Sequence, residues 1–322
     1  MEDLKLLLSK RKYNPAYIPP EDTIIFKIED KNILSYQNFS ILSGLPKTCK
    51  STLISAIISS AISNKSIFDM SVKLPIERPN LAYFDTESSD YDFYRQIERI
   101  KTFSQKQIPE NLFLYQVRED SPGTIRKLIE HNLKEDNKIS FIIIDGLLDL
   151  CLNYNDEKET RLLVNWLKKI TKVYNVGILS VLHLGKKDEQ TLGHLGSNTD
   201  RWAQSTLKVT KDKEKGVYIL EPKFLRSAED FNPIIIKNIN GKWEQMYNEQ
   251  KPEYKTDKLT HLEKTAIIFQ AIKKPLSYKE LVENLQAVTG RGANYCKQLI
   301  KELIFDNLIE KTEKGYADKN FF

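Results

Sequence analysis

An α/β architecture built on a mostly parallel sheet is indicated by three features of the 322-residue chain. Segments such as FIIIDG and VGILSVLH are apolar throughout, as strands covered on both faces are. Between Thr23 and Gly185 such strands alternate with helix-patterned segments, the order that lays helices over a parallel sheet. The composition, 40% hydrophobic and 29% charged with 12 Gly and 12 Pro, supports a sizeable core and excludes disordered and fibrous classes.

Residues 1–20 read as a short helix and an arm closed by Pro19-Pro20. IIFKIED and NFSILSG follow as strands. KSTLISAIISSAISN is a helix with apolar residues at Leu53, Ile54, Ile57, Ile58, Ala61 and Ile62. LAYFDTE, NLFLYQV, ISFIIIDG and VGILSVLHLG continue the strands, separated by the helical segments YDFYRQIERIKTFSQ, PGTIRKLIEHNLKE and ETRLLVNWLKKITKVYN. After Lys186 the period becomes two in STLKVTKD, GVYILEPKFL, NPIIIKNI and KWEQMY, which predicts antiparallel strands extending the same sheet. Residues 21–247 are thus expected to form one domain. The polar stretch 248–260 reads as a linker, and residues 261–322 as three helices and a hairpin, a winged helix-turn-helix.

The longest apolar stretches, Leu53–Ile62 and Phe141–Leu150, fall well short of the roughly 20 residues of a membrane helix, so no membrane association is expected. The N-terminus puts acidic residues before basic ones, the reverse of a secretory signal, and a cytoplasmic location is expected. Cys49, Cys151 and Cys296 lie far apart with no CxxC, which signals neither a zinc site nor a disulfide framework. A net charge of +5 is compatible with nucleic acid but does not select it.

Strand NFSILSG, loop and helix KSTLISAI place Gly44, Leu45, Pro46, Lys47, Thr48, Cys49, Lys50, Ser51 and Thr52 where a phosphate-binding loop G-x-x-x-x-G-K-[ST] would sit. Backbone N–H groups and the helix N-terminus converge there on phosphate while Lys50 adds charge, and the Ser51 hydroxyl suits Mg2+. Cys49 replaces the second glycine, putting a Cβ where positive φ or close approach is normal.

Asp145 ends the apolar strand FIIID, the position of a carboxylate that holds Mg2+ through water, or of a helix cap. Glu87, at the tip of LAYFDTE, is poised to orient or deprotonate water in line with a γ-phosphate, with Asp85 supporting the turn. His183 ends another apolar strand, as a γ-phosphate sensor or an ordinary surface histidine.

With SGLPKTCKST, YFDTESSD, FIIIDGLLDLCLNYND, SVLHLGKK, LGHLGS and EPKFLRS in this order, about residues 20 to 245 resemble the RecA-like P-loop ATPases, in particular the RepA-type branch of hexameric replicative helicases of plasmids and mobile elements. The resemblance implies a RecA-like core, ATP and Mg2+ as cofactors, Glu87 as catalytic base, Asp145 as metal-holding carboxylate and His183 as γ-phosphate sensor. It implies that LGHLGSNTD (Leu192 to Asp200) is the loop meeting single-stranded DNA, with Lys186, Lys187 and His194 toward phosphates and Gly193 and Gly196 giving mobility; an ordinary surface hairpin loop is the alternative. It also implies that Lys223 and Arg226 are fingers reaching a neighbouring subunit's γ-phosphate; otherwise they are solvated strand charges.

The winged helix would offer Arg291, Asn294, Lys297 and Lys301 to duplex DNA. Its balance of 10 basic and 8 acidic residues over 261–322 leaves protein docking equally open. The expected function is Mg2+-dependent ATP hydrolysis in a homo-oligomeric ring, a hexamer by the resemblance, coupled to DNA unwinding. A nucleotide-gated DNA-binding or assembly factor, or a recombinase-like or regulatory ATPase, is the alternative.

Overall fold

The computed structural model describes residues 4–18, 21–185 and 193–246. In the C-terminal part it describes residue 265 and residues 267–268, 270–289, 296–297, 299–300, 303–304, 308–312 and 315–318. The expectations for Pro19-Pro20, Lys186, Lys187, Leu192, the linker 248–260, Arg291, Asn294 and Lys301 fall outside these residues. The chain divides into two compact units, Met1–Tyr247 and Asn248–Phe322.

The first unit opens with α1 (Leu4–Arg11), β1 (Ile24–Ile28), β2 (Lys31–Ser35), β3 (Phe39–Gly44), α2 (Lys50–Ser63) and β4 (Met70–Val72). It continues through β5 (Asn80–Asp85), α3 (Asp90–Ser104), β6 (Leu112–Gln116), α4 (Pro122–Glu135), β7 (Ile139–Asp145), a 3-10 turn (Leu147–Leu150), α5 (Glu157–Tyr174) and β8 (Gly177–His183). It ends with α6 (Gly193–Trp202), β9 (Ser205–Asp212), β10 (Val217–Leu225), β11 (Ile234–Ile239) and β12 (Lys242–Gln245). The main sheet has the order β12-β11-β10-β9-β3-β8-β7-β5-β6, and a second sheet has the order β2-β1-β4.

Six neighbours, β9, β3, β8, β7, β5 and β6, run parallel, and β10, β11 and β12 are added antiparallel. This corrects the expectation of a wholly antiparallel extension, because STLKVTKD (β9) lies parallel to the phosphate-loop strand. Its period-two pattern reflects an uneven burial rather than its direction.

Alternation along the central strands explains their continuous apolarity. Phe141 and Ile143 of β7 pack with α2, whereas Ile142 and Ile144 pack with α4 and α5 on the other face. Local signals start the covering helices. Ser89, Ser121 and Asp156 accept from Asp92 N, Thr124 N and Glu159 N at the starts of α3, α4 and α5, and Pro122 opens α4.

The segment expected to be a channel or hairpin loop forms α6 instead. Leu195, Gly196 and Thr199 are buried one helical turn apart, and Asn198 Nδ2 donates to Thr160 Oγ1 of α5 at 3.0 Å. Packing of this narrow face against α5 outweighs the low helix propensity of two glycines. By contrast, Leu4 and Leu8 of α1 are largely exposed.

In the second unit, helical residues at 265, 267–268 and 270–271 precede α7 (Tyr278–Thr289), and residues 296–297, 299–300 and 303–304 are again helical. β13 (Ile309–Thr312) and β14 (Gly315–Asp318) then pair antiparallel. Ile268, Leu281, Leu285, Leu299 and Leu303 form a separate core.

Candidate nucleotide and metal site

The tips of β3, β5, β7 and β8 lie side by side, because Gly44 pairs with His183 and Asp85 with Asp145 in the parallel registers. This edge, outside the carboxyl ends of a parallel sheet, is where such folds place ligands. From β3 the chain turns through Leu45, Pro46, Lys47, Thr48 and Cys49 into α2. A Cβ on Gly44 would meet Thr48 Oγ1 and Val209 O at 2.7 Å each, so the turn needs glycine there. Cys49 adopts φ 59 and ψ 20, the left-handed conformation natural to the glycine it replaces. Its carbonyl accepts from Thr52 N and Leu53 N, so the helix begins as it would after glycine. Burial pushes the Cys49 thiol up to about 12, which keeps it neutral beside the loop.

Lys50 is buried, and its Nζ donates to Gly44 O at 3.0 Å and Leu45 O at 2.8 Å. Burial lowers its pKa, against which the charges of Asp145 and Glu87 act. The ammonium therefore lies within electrostatic reach of both carboxylates. Ser51 is exposed in the first turn of α2, next to Lys50. Thr48 Oγ1 donates to Leu45 O at 2.7 Å, and Thr52 is buried behind the loop.

Asp145, 7% exposed, is pushed up to about 7 by burial, with the negative charges of Asp85 and Glu87 adding to the effect. Asp85 Oδ1 accepts from Glu87 N at 3.0 Å and Ser88 N at 2.8 Å, which fixes the turn that carries Glu87. His183 Nε2–H donates to Glu87 Oε1 at 2.8 Å and holds that carboxyl below its ordinary range. His183 Nδ1 is buried without a hydrogen-bond partner among the described residues. The structure thus brings Lys50, Ser51, Glu87, Asp145 and His183 together.

Lys223 and Arg226 do not join this group. Lys223 Nζ lies 2.7 Å from Asp200 Oδ2, and Arg226 Nη2 donates to Arg201 O at 2.7 Å, so both side chains hold α6 of their own chain. His194 lies exposed near the start of α6.

Three participants were not singled out from the sequence. Tyr83 hydrogen-bonds both Asp85 and Asp145; Thr86 Oγ1 lies 2.9 Å from Asp145 O and 2.5 Å from Asp149 Oδ2. Burial raises the Asp149 carboxyl. The alternation of YFDTE, which puts Tyr83 on the same strand face as Asp85, was the available signal for the first. Thr86 also crowds Gly146, whose φ of 119 and lack of a Cβ leave room for its hydroxyl.

The donor set fits a magnesium nucleotide. A carboxylate and a hydroxyl are hard oxygen ligands, and the one nearby thiol is protonated. Among the described residues no group of three or more His, Cys, Asp or Glu is placed to hold a metal ion. A cation here would therefore share its coordination with phosphate oxygens, as magnesium does. On the β9 side of Leu45–Thr48 a cleft of about 590 Å³ is lined by Lys47, Lys208, Lys211 and Lys213, and does not include Lys50, Glu87 or Asp145. No helix among the described residues is long and apolar enough to cross a membrane.

A search of the curated proteins returns no match. Residues 28–189, half of the chain, match the family described as AAA domain, and this span contains the phosphate loop, Glu87, Asp145 and His183. The chain belongs to the AAA-domain family, P-loop ATPases with a RecA-like core.

Proposed function

We propose that the protein is a Mg2+-dependent ATPase that works as a homo-oligomeric ring, a hexamer by its likeness to RepA-type helicases, and couples hydrolysis at subunit interfaces to unwinding of DNA during replication of a mobile element. The observation that carries the ATPase reading is the convergence of Lys50, Asp145, Glu87 and His183 on the turn that follows β3.

In this reading Lys50 exchanges its two carbonyl partners for phosphate oxygens, and the N–H groups opening α2 donate to phosphate. Ser51 and Asp145 would hold Mg2+, which would neutralise charge developing on the phosphate oxygens. Glu87 orients a water and takes its proton. His183, bonded to Glu87 and neighbouring Gly44, is placed to register an occupant of the loop.

Single-stranded DNA as partner is supported by the resemblance around α6. The contacts of Lys223 and Arg226 with Asp200 and Arg201 link the candidate finger strand to that helix. A winged helix at the C-terminus is supported by three helical stretches followed by a hairpin, with Lys297 exposed, and duplex DNA or a protein is its proposed partner. The same intrachain engagement of Lys223 and Arg226 favours a second reading, a nucleotide-gated assembly factor or regulatory ATPase without helicase activity.

ATP hydrolysis with and without single-stranded DNA, unwinding of a forked duplex, and particle mass with and without a non-hydrolysable ATP analogue test these readings together. DNA-stimulated hydrolysis, unwinding and ring-sized particles are expected. Hydrolysis without unwinding would select the regulatory ATPase, nucleotide binding without turnover would select the nucleotide-gated assembly factor, and neither binding nor hydrolysis would remove the nucleotide-site assignment.

A further inference from the structure

Asp85 and Asp145 end adjacent parallel strands in direct register, and both are almost wholly buried. Two carboxylates side by side in such surroundings repel unless a donor stands between them. That donor is Tyr83, 1% exposed, whose hydroxyl lies 3.0 Å from Asp85 Oδ2 and 3.1 Å from Asp145 Oδ2. Its ring stacks on Phe93 of α3 with centroids 6.3 Å apart and planes 7° apart, so the hydroxyl is aimed by the core. The other Asp85 oxygen binds the backbone N–H groups of Glu87 and Ser88. One phenol therefore connects the carboxylate proposed to hold the metal with the turn carrying the proposed base.

We propose that Tyr83 is a positioning residue for metal-assisted ATP hydrolysis: its hydroxyl orients the Asp145 carboxylate toward the metal and, through Asp85, fixes the turn that presents Glu87. This rests on the reading of the site as a magnesium-nucleotide site. Phenylalanine fills nearly the same volume but removes the hydroxyl that both carboxyl groups share, and loss of a group that orients a metal ligand costs about 10–100-fold in metal affinity.

The test titrates Mg2+ into the full chain in the presence of a fluorescent, non-hydrolysable ATP analogue, with a parallel measurement in EDTA. Tyr83→Phe is expected to raise the Mg2+ concentration at half-maximal analogue binding about tenfold or more. Analogue binding in EDTA should stay within about twofold, since the Tyr83 hydroxyl bonds Asp85 and Asp145 rather than the phosphate loop. Phe93→Leu keeps the hydroxyl but loosens the stack that aims it, and is expected to move the Mg2+ midpoint in the same direction by clearly less than Tyr83→Phe does. An unmoved midpoint in Tyr83→Phe, or an equal shift in Phe93→Leu, would overturn the positioning role. Wild-type protein that binds the analogue without any response to Mg2+ would instead overturn the site reading on which it rests.

Discussion

Cys49 is one of several residues with a Cβ held at positive φ, with Lys47 two residues before it in the same loop. A left-handed backbone costs a residue with a Cβ about 1–2 kcal/mol relative to glycine. The side chain offsets part of this by packing on the core beneath α2. Cys49→Gly should therefore change stability by less than about 1 kcal/mol, whereas Cys49→Val, β-branched at positive φ, should lose about 2 kcal/mol in denaturant unfolding. Equal stabilities for the two variants would contradict the left-handed assignment. The sequence marks the position, because the residue before Lys50 departs from the glycine of the motif. It cannot show that the loop keeps the glycine conformation, which depends on packing from α2 and its surroundings.

Strand tips decide the chemistry at the scale of elements. Asp145 keeps its proton in the nucleotide-free fold up to about pH 7, whereas an unfolded aspartate loses it near about pH 4. The folded state binds more protons between these values, so this group's contribution to stability is present below about pH 4 and is lost as pH rises toward 7. Asp145→Asn should accordingly melt higher than wild type at pH 8 without nucleotide, by less at pH 5, and nearly level with it below about pH 4. A wild-type advantage at pH 8 would contradict the cost that burial and the neighbouring Asp85 and Glu87 charges impose on this carboxylate.

The apolar strands ending in Asp85, Asp145 and His183 were legible because burial on both faces leaves a continuous hydrophobic run. The segment 193–202 was not, since its helix depends on contacts with α5 rather than on its own propensity. Leu195, fully buried there, should cost about 3 kcal/mol on truncation to alanine, a loss that a solvent-facing loop residue would not show. β2 and β4 escaped for a similar reason. They are short and lie in a separate sheet, where pairing with β1 supplies what five or three residues cannot signal.

For the whole molecule, the family match lies within the first compact unit, and the second has a core of its own. The proposed work on DNA needs communication between copies, and Lys223 is its most informative side chain. If Lys223 only pairs with Asp200, Lys223→Met should lose about 2–3 kcal/mol of stability, because it leaves the mostly buried Asp200 carboxylate without that partner, with turnover per subunit unchanged. If it also reaches a neighbour, turnover should fall about 100-fold while particle mass stays the same. The proposal predicts the second outcome.

The joint grip of the phosphate loop and the two acidic strand tips is tested most directly by separating binding from turnover. Glu87→Gln keeps the shape beside His183 and removes the proton acceptor, so single-turnover ATP hydrolysis should drop at least about 100-fold while Mg2+-ATP affinity stays within about threefold. Lys50→Ala, in the same assay, should lose binding itself. Hydrolysis by Glu87→Gln at the wild-type rate, or undiminished affinity in Lys50→Ala, would contradict the account.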